Sequence, residues 1–73
     1  MNNGIFKNHI GTWSISNYYK YNVYAVDAGN QHWLTAEPIT KGLVTRCADT
    51  KLELKILLEN DVINYLRMQK RVK

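Results

Sequence analysis

Residues 10–16 read Ile-Gly-Thr-Trp-Ser-Ile-Ser, and this stretch decides the fold class. Trp13 and Ile15 lie on one face of an extended chain, and the hydroxyl residues around them lie on the other. An alternation with a period of two is typical of a strand that is buried on one face. We therefore predict a β-strand here, with a hydrophobic layer on one side of it.

Three more segments indicate strands. Residues 21–26 carry apolar groups on both faces, which is typical of a central strand. A third strand is predicted over residues 32–36, ending before Pro38, because proline cannot donate a hydrogen bond to a ladder. A short fourth strand at the sheet edge is predicted over residues 43–46.

Turn residues separate these segments. Asn17 predicts a turn between the first two strands. Residues 27–31 predict the next turn, since Gly29 and Asn30 can both adopt a positive φ. Short turns join neighbouring antiparallel strands, so the pattern predicts a meander.

The segment from residue 51 onward is aliphatic and predicts a helix. Thr50 and Glu53 form a capping box, in which the hydroxyl accepts a hydrogen bond from the amide three residues later. A break at residues 60–61 is the alternative to one continuous helix. Continuity is favoured because five polar residues then align on one narrow stripe. These residues are Glu53, Asn60, Asn64, Arg67 and Arg71.

These elements predict an α+β fold for the single domain that 73 residues allow. A three- or four-stranded antiparallel β-meander is expected over about residues 9–46. One long C-terminal α-helix, over about residues 51–70, is expected to pack on the sheet. The predicted domain covers residues 1–73 and ends in a basic segment, residues 67–73.

The predicted helix is apolar over an unusually wide arc. One sector holds Leu52, Ile56, Ile63 and Leu66, and another holds Leu54, Leu58, Val62 and Tyr65. One small sheet covers a narrower arc than this. The second sector therefore predicts a partner, either another copy of the chain in a homodimer or a different protein. The alternative is that the sheet curls around the helix and covers both sectors.

The sequence offers little for chemistry. His9, His32 and Cys47 are the soft or imidazole ligands, and they lack the short paired spacing of a zinc site. No glycine-rich phosphate loop or nucleophile elbow is present. We expect no catalytic residues, cofactor or metal, and interpret Cys47 as a small buried residue.

Tyrosines cluster at the first predicted turn. Tyr18, Tyr19, Lys20 and Tyr21 follow one another there, and neighbouring residues of an extended chain face opposite ways. Some of this aromatic surface must therefore be exposed or covered by a partner. Tyrosine is enriched at binding hot spots because it combines a large rigid area with a polar tip. These four residues are the predicted partner-binding patch.

Positive charge collects at the end of the chain. Residues 51–73 hold six basic and three acidic side chains, which leaves three of the four net positive charges there. Arg67, Lys70 and Arg71 are predicted to steer a partner or to contact phosphate. The simpler interpretation is that these cations complement the negative end of the helix dipole.

A layout of an aromatic-rich meander followed by a capped helix is similar, in size and order of elements, to many short phage and plasmid proteins, including some anti-CRISPR inhibitors. The likeness implies an inhibitor or regulator encoded by a mobile element, and it transfers no functional residues. We predict a non-enzymatic protein-binding module that docks on another macromolecule. The alternative is a nucleic-acid-binding regulator that uses the basic end and the tyrosines.

Composition also predicts the compartment. The longest aliphatic run is residues 56–58, so no membrane partner is expected. A single cysteine makes no internal disulfide. A cytoplasmic protein is the prediction.

Overall fold

A computed structural model describes residues 5–71, with four strands followed by one helix. The antiparallel strands form one sheet in the order β1-β2-β3-β4. The elements are β1 (Phe6–Ile15), β2 (Tyr19–Ala28), β3 (Gln31–Pro38), β4 (Arg46–Ala48) and α1 (Lys51–Arg71). The predicted α+β fold, a meander followed by a long helix, is confirmed.

Both hairpin turns lie where the sequence predicts them. Ser16 and Asn17 adopt left-handed conformations, with φ of 56° and 65°, between the paired residues Ile15 and Tyr19. Gly29, with φ of 69°, follows the last residue of β2. Left-handed residues suit tight hairpins because their twist matches that of the flanking strands. The first three strands are three or four residues longer than predicted, because β1 already begins at Phe6 and the pairing of β2 with β3 continues up to their turn.

The fourth strand is not where the sequence predicts it. It spans Arg46–Ala48 rather than residues 43–46, and it pairs with residues 34–36 of β3. Leu43 instead packs against the core from the connecting loop, so this apolar side chain is partly buried without joining the ladder. β3 also runs to Pro38, and the next amide, that of Ile39, donates to the Lys20 carbonyl at 2.9 Å.

The helix is continuous, as predicted. The Thr50 hydroxyl accepts a hydrogen bond from the Glu53 amide at 3.1 Å, so the predicted cap forms at its first turn. Asp61, at the position of the alternative break, accepts two hydrogen bonds from the Arg46 guanidinium, at 2.6 and 2.9 Å. This ion pair holds the middle of α1 against β4. No helix in the described part of the chain is long and apolar enough to cross a membrane.

The core lies between one face of the sheet and one sector of α1. Its fully buried helix residues are Leu54, Leu58 and Val62. The sheet side comprises Ile15, Tyr21, Val23 and Ala36, with Trp13, Tyr19, Leu34 and Ala48 partly buried around them. The other helix sector stays exposed, so the alternative of a sheet that curls around both sectors is wrong. Cys47 is exposed as well, which corrects its interpretation as a buried residue.

Candidate functional site

An aromatic cluster forms where the first hairpin turn meets the C-terminal half of α1. Tyr18 is 81% exposed, and its ring lies edge-on to that of Tyr19, with centroids 6.5 Å apart. Tyr19 in turn lies edge-on to Tyr65 of the helix, at 5.7 Å. We call Tyr18, Tyr19, Lys20 and Tyr65 the tyrosine end. Three of the four belong to the predicted tyrosine patch and the fourth to the predicted helix, and the fold joins these two features through the contact between Tyr19 and Tyr65.

The hairpin geometry explains why one tyrosine is exposed and its neighbour is not. Tyr19 begins β2 opposite Ile15 and packs against the core. Tyr18 precedes the strand, in the turn, and its amide donates to the Ser16 carbonyl at 2.7 Å. Lys20 follows Tyr19 and is exposed. The turn therefore presents Tyr18 and Lys20 outward while Tyr19 anchors them.

Tyr21 is not part of this exposed surface. Its side chain is fully buried in the core, so its place in the predicted patch is wrong. The reason is parity: Tyr21 shares the core-facing side of β2 with Tyr19 and Val23. Its hydroxyl has no hydrogen-bond partner among the described residues. Burial raises the pKa of this phenol, and the nearby Asp61 carboxylate adds to the rise.

The basic end of the helix lies close to the tyrosine end. Arg67 is exposed two residues beyond Tyr65, and Met68 is 64% exposed next to it. The side chains of Lys70 and Arg71, which complete the predicted basic cluster, lie outside the described part of the structure. Lys20 and Arg67 are exposed cations at this end of the molecule, Lys20 on the sheet face away from Tyr19 and Arg67 on the side of α1 away from Tyr65.

A second surface runs along the helix, on the side turned away from the core. We call it the apolar stripe, and it comprises Leu52, Ile56, Ile63 and Leu66. Their exposed fractions are 69%, 50%, 49% and 38%. These residues form the sector that the sequence predicts to exceed the needs of one sheet. Four large aliphatic side chains in one row on a helix are typical of an interaction surface.

A third cluster, on the sheet face away from the helix, is one that the sequence analysis misses. The Lys7 ammonium pairs with the Glu37 carboxylate and lies 4.5 Å from the centroid of the Tyr24 ring. His9 lies edge-on to Tyr24 at 5.3 Å. The hydrogen bond from Lys7 to Glu37 raises the pKa of Lys7. This cluster depends on cross-strand register after an irregularity between His9 and Gly11, and no local pattern reveals that register.

Across residues 5–69, no three His, Cys, Asp or Glu residues lie close enough together to bind a metal ion. An open groove of about 800 Å³ lies at the β4 edge, between Trp33, Cys47 and Ile56. Its lining is mainly apolar, with Asp49 and Glu53 at the rim.

Comparison with protein families, with curated proteins and with solved structures finds no match to this chain.

Proposed function

We propose that this protein is a non-enzymatic binding module that docks on another protein through the tyrosine end. The observation that carries the proposal is the exposed ring of Tyr18, held by edge-on contact with Tyr19 and, through it, with Tyr65. An aromatic ring that is exposed and already positioned loses little conformational entropy when a partner covers it. Tyrosines of this kind are typical centres of protein interfaces.

The charges around the tyrosine end favour an acidic partner surface. Lys20 is exposed next to Tyr19 in the chain, and Lys41 is exposed in the loop whose Gly42 packs against Tyr65. The Asp61 carboxylate, which lines the same depression as Gly42 and Tyr65, is paired with Arg46. The matching partner offers apolar pockets for the tyrosine rings beside Asp or Glu side chains.

In this proposal, binding alone regulates the partner, and no chemical reaction is needed. The chain would inhibit or regulate its partner by covering part of the partner's surface, as a stoichiometric inhibitor does. The similarity in size and layout to phage and plasmid inhibitors supports a mobile-element origin and action in the cytoplasm.

The test uses two pairs of matched variants. The tagged chain captures proteins from an extract of the encoding cells, and each captured protein is then purified and its affinity is measured directly. Tyr18→Ala is compared with Phe6→Ala, because Phe6 is also an exposed aromatic residue (67%) but lies at the opposite end of β1. Lys20→Glu is compared with Lys51→Glu, a charge reversal at the far end of the helix.

We expect Tyr18→Ala and Lys20→Glu each to weaken binding by about ten-fold or more, or about 1.4 kcal/mol. The two control variants should bind like the wild type. Equal loss in a variant and its control would contradict docking at the tyrosine end, because the lost affinity would then not belong to that surface.

Binding to nucleic acid is the alternative outcome of the same design. Fluorescence anisotropy with a labelled mixed-sequence duplex and a labelled single strand, at low and at moderate salt, measures it. An affinity that falls steeply with salt, and is lost in Lys20→Glu and Arg67→Glu, would replace the protein partner by a phosphate backbone. The absence of such binding at low salt leaves the protein proposal as it stands.

A further inference from the structure

The apolar stripe has the spacing of a coiled-coil seam. Its residues and Glu59 follow one another at intervals of four, three, four and three residues: Leu52, Ile56, Glu59, Ile63 and Leu66. This is the alternation of a and d positions in a heptad repeat. All five side chains are exposed, and the packed sector of the same helix lies on its other side. The helix therefore has one apolar sector that packs against the sheet and a second one that the sheet leaves uncovered.

The polar residues beside the seam are complementary to themselves. Glu53, Asn60 and Arg67 lie along one flank, one heptad apart, and all three are exposed. When two such flanks run in opposite directions, Glu53 of each helix comes level with Arg67 of the other. Asn60 then meets its own copy at the centre. An opposite charge at each end and an amide pair in the middle favour this one register.

We propose that the stripe pairs with a second copy of the chain, forming an antiparallel two-helix interface about a two-fold axis. Ile56 would contact the partner's Leu66, and Ile63 would lie opposite the partner's Glu59, near the axis. A single patch that is complementary to itself is what a two-fold dimer requires. The stripe then becomes the centre of a four-layer arrangement, sheet–helix–helix–sheet.

A parallel pair fits these residues less well. It would place the two Glu59 carboxylates in the same layer of the seam, where like charges repel. It would also move Glu53 away from the partner's Arg67, because the flank that holds both residues faces the opposite flank of the partner in a parallel pair. The antiparallel arrangement separates the two Glu59 carboxylates along the length of the helices, and it brings Glu53 of each helix next to Arg67 of the other.

The oligomeric state of the purified chain tests the pairing. Sedimentation equilibrium, from low micromolar to sub-millimolar concentration, should show a reversible monomer–dimer equilibrium for the wild type. Ile63→Glu should remain monomeric throughout, with an unchanged circular dichroism spectrum because Ile63 is half-exposed in the monomer. Glu59→Leu completes the aliphatic seam and should tighten the dimer by about ten-fold or more. Met68→Glu, an exposed helix position off the seam, is the matched control and should behave like the wild type.

A wild-type chain that stays monomeric at the highest concentration would overturn the proposal. A dimer unaffected by Ile63→Glu would also overturn it, because the contact would then lie elsewhere. A monomeric wild type in which only Glu59→Leu associates would likewise overturn it, because the seam would then pair only after its carboxylate is removed.

Orientation is tested by crosslinking in a Cys47→Ser background, which removes the natural thiol. A cysteine in place of Asn60 should form a disulfide with its own copy under mild oxidation, because the two positions meet at the proposed axis. Asn64→Cys, one helical turn further and off the seam, is the control and should crosslink far less. Equal crosslinking at both positions, or none at position 60, would exclude the antiparallel register.

This proposal does not depend on the proposed function. Sedimentation reads association of the purified chain alone, and the tyrosine end contributes no residue to the seam. Loss of one surface should leave the other active, so failure of either proposal is distinguishable from failure of the other. If both hold, the dimer carries two tyrosine ends, one at each end of the paired helices, and binds two partner sites at once.

Discussion

Tyr21 is a core residue of the sheet that lies near the ion pair between Arg46 and Asp61 of the helix. Its ring is fully buried against Leu54 and Leu58 in the core cluster, and its hydroxyl has no partner among the described residues. The Arg46–Asp61 ion pair lies close enough to influence its pKa. A buried hydroxyl without a hydrogen bond is a net cost to stability, although the ring itself is strongly stabilising.

Tyr21→Phe should therefore leave the free energy of unfolding unchanged or raise it by about 1 kcal/mol. The variant keeps the ring and removes only the unpaired polar group. Urea unfolding followed by circular dichroism measures the difference. A loss of more than about 1 kcal/mol would mean that the hydroxyl makes a stabilising hydrogen bond.

The same substitution makes a prediction about pH. Burial raises the pKa of Tyr21 above its ordinary value of 10.0 in the folded chain. The folded state then holds the phenol proton more tightly than the unfolded state does. The corresponding stability is fully present below pH 10 and is lost as the pH rises from there through the folded pKa. The wild type should lose stability above about pH 10 more steeply than Tyr21→Phe, in unfolding curves measured side by side.

Gly42 is a second residue at which a substitution should affect stability, because a side chain there has no room. Its φ of +97° is strained for other residues, and a Cβ there would lie 2.6 Å from Cε1 of Tyr65. Gly29 has a positive φ of +69° but open space around it. Gly29→Ala should cost about 1–2 kcal/mol from the backbone alone. Gly42→Ala should cost at least about 1 kcal/mol more, since Tyr65 must move. Thermal unfolding of both variants separates the two terms, and equal costs would show that Tyr65 yields freely.

At the scale of the element, α1 has two apolar faces, of which one is buried and the other is exposed. One face is buried against the sheet and held there by the Arg46–Asp61 ion pair, whereas the stripe faces away. Since the two faces have similar composition, their side chains contribute to stability according to position rather than to residue type.

Leu58→Ala and Leu52→Ala measure this contrast with the same chemical change. Leu58 is fully buried and Leu52 is 69% exposed. Leu58→Ala should lower the free energy of unfolding by about 2–5 kcal/mol, because it leaves a cavity in the core. Leu52→Ala should change it by less than about 0.5 kcal/mol at concentrations low enough to keep the chain monomeric. Comparable losses would indicate that the stripe is covered within the monomer.

At the scale of the whole molecule, the sheet is covered by the helix on one face and by its own polar cluster on the other. Lys7, Tyr24 and Glu37 lie across that second face, so the sheet does not need a second layer there. The apolar stripe is a row of uncovered apolar side chains on one element, whereas Phe6, Ile39 and Val44 are exposed at separate places in the chain. Small domains bury a limited fraction of their surface, so burial of this surface between two copies should add to stability.

The thermal midpoint should therefore depend on concentration. Once the chain exceeds the dissociation constant of the dimer, each ten-fold increase in concentration should raise the midpoint by about 3–5 °C. Ile63→Glu should show a constant midpoint over the same range. Differential scanning calorimetry of both proteins measures it, and a constant midpoint for the wild type would argue against a dimer that stabilises the fold.

The sequence by itself determines the elements of this protein and their order. The alternation around Trp13 and Ile15, the left-handed turn residues and the Thr50–Glu53 cap are local signals, because each arises between residues that are close in the chain. The polar stripe along α1 is also local, so it predicts correctly that the helix continues through residues 60–61. The excess of apolar helix surface follows from composition alone.

Only the tertiary structure decides which of several residues of the same type are buried. Tyr21 enters the core while Tyr18 stays exposed, and β4 forms at Arg46–Ala48 while Leu43 packs from the loop. The contact between Tyr19 and Tyr65 and the cluster around Tyr24 join residues far apart in the chain. Such outcomes depend on strand register and on which face meets the helix. Register and packed face are set by the free energy of the assembled core as a whole, so they cannot be predicted from any short segment.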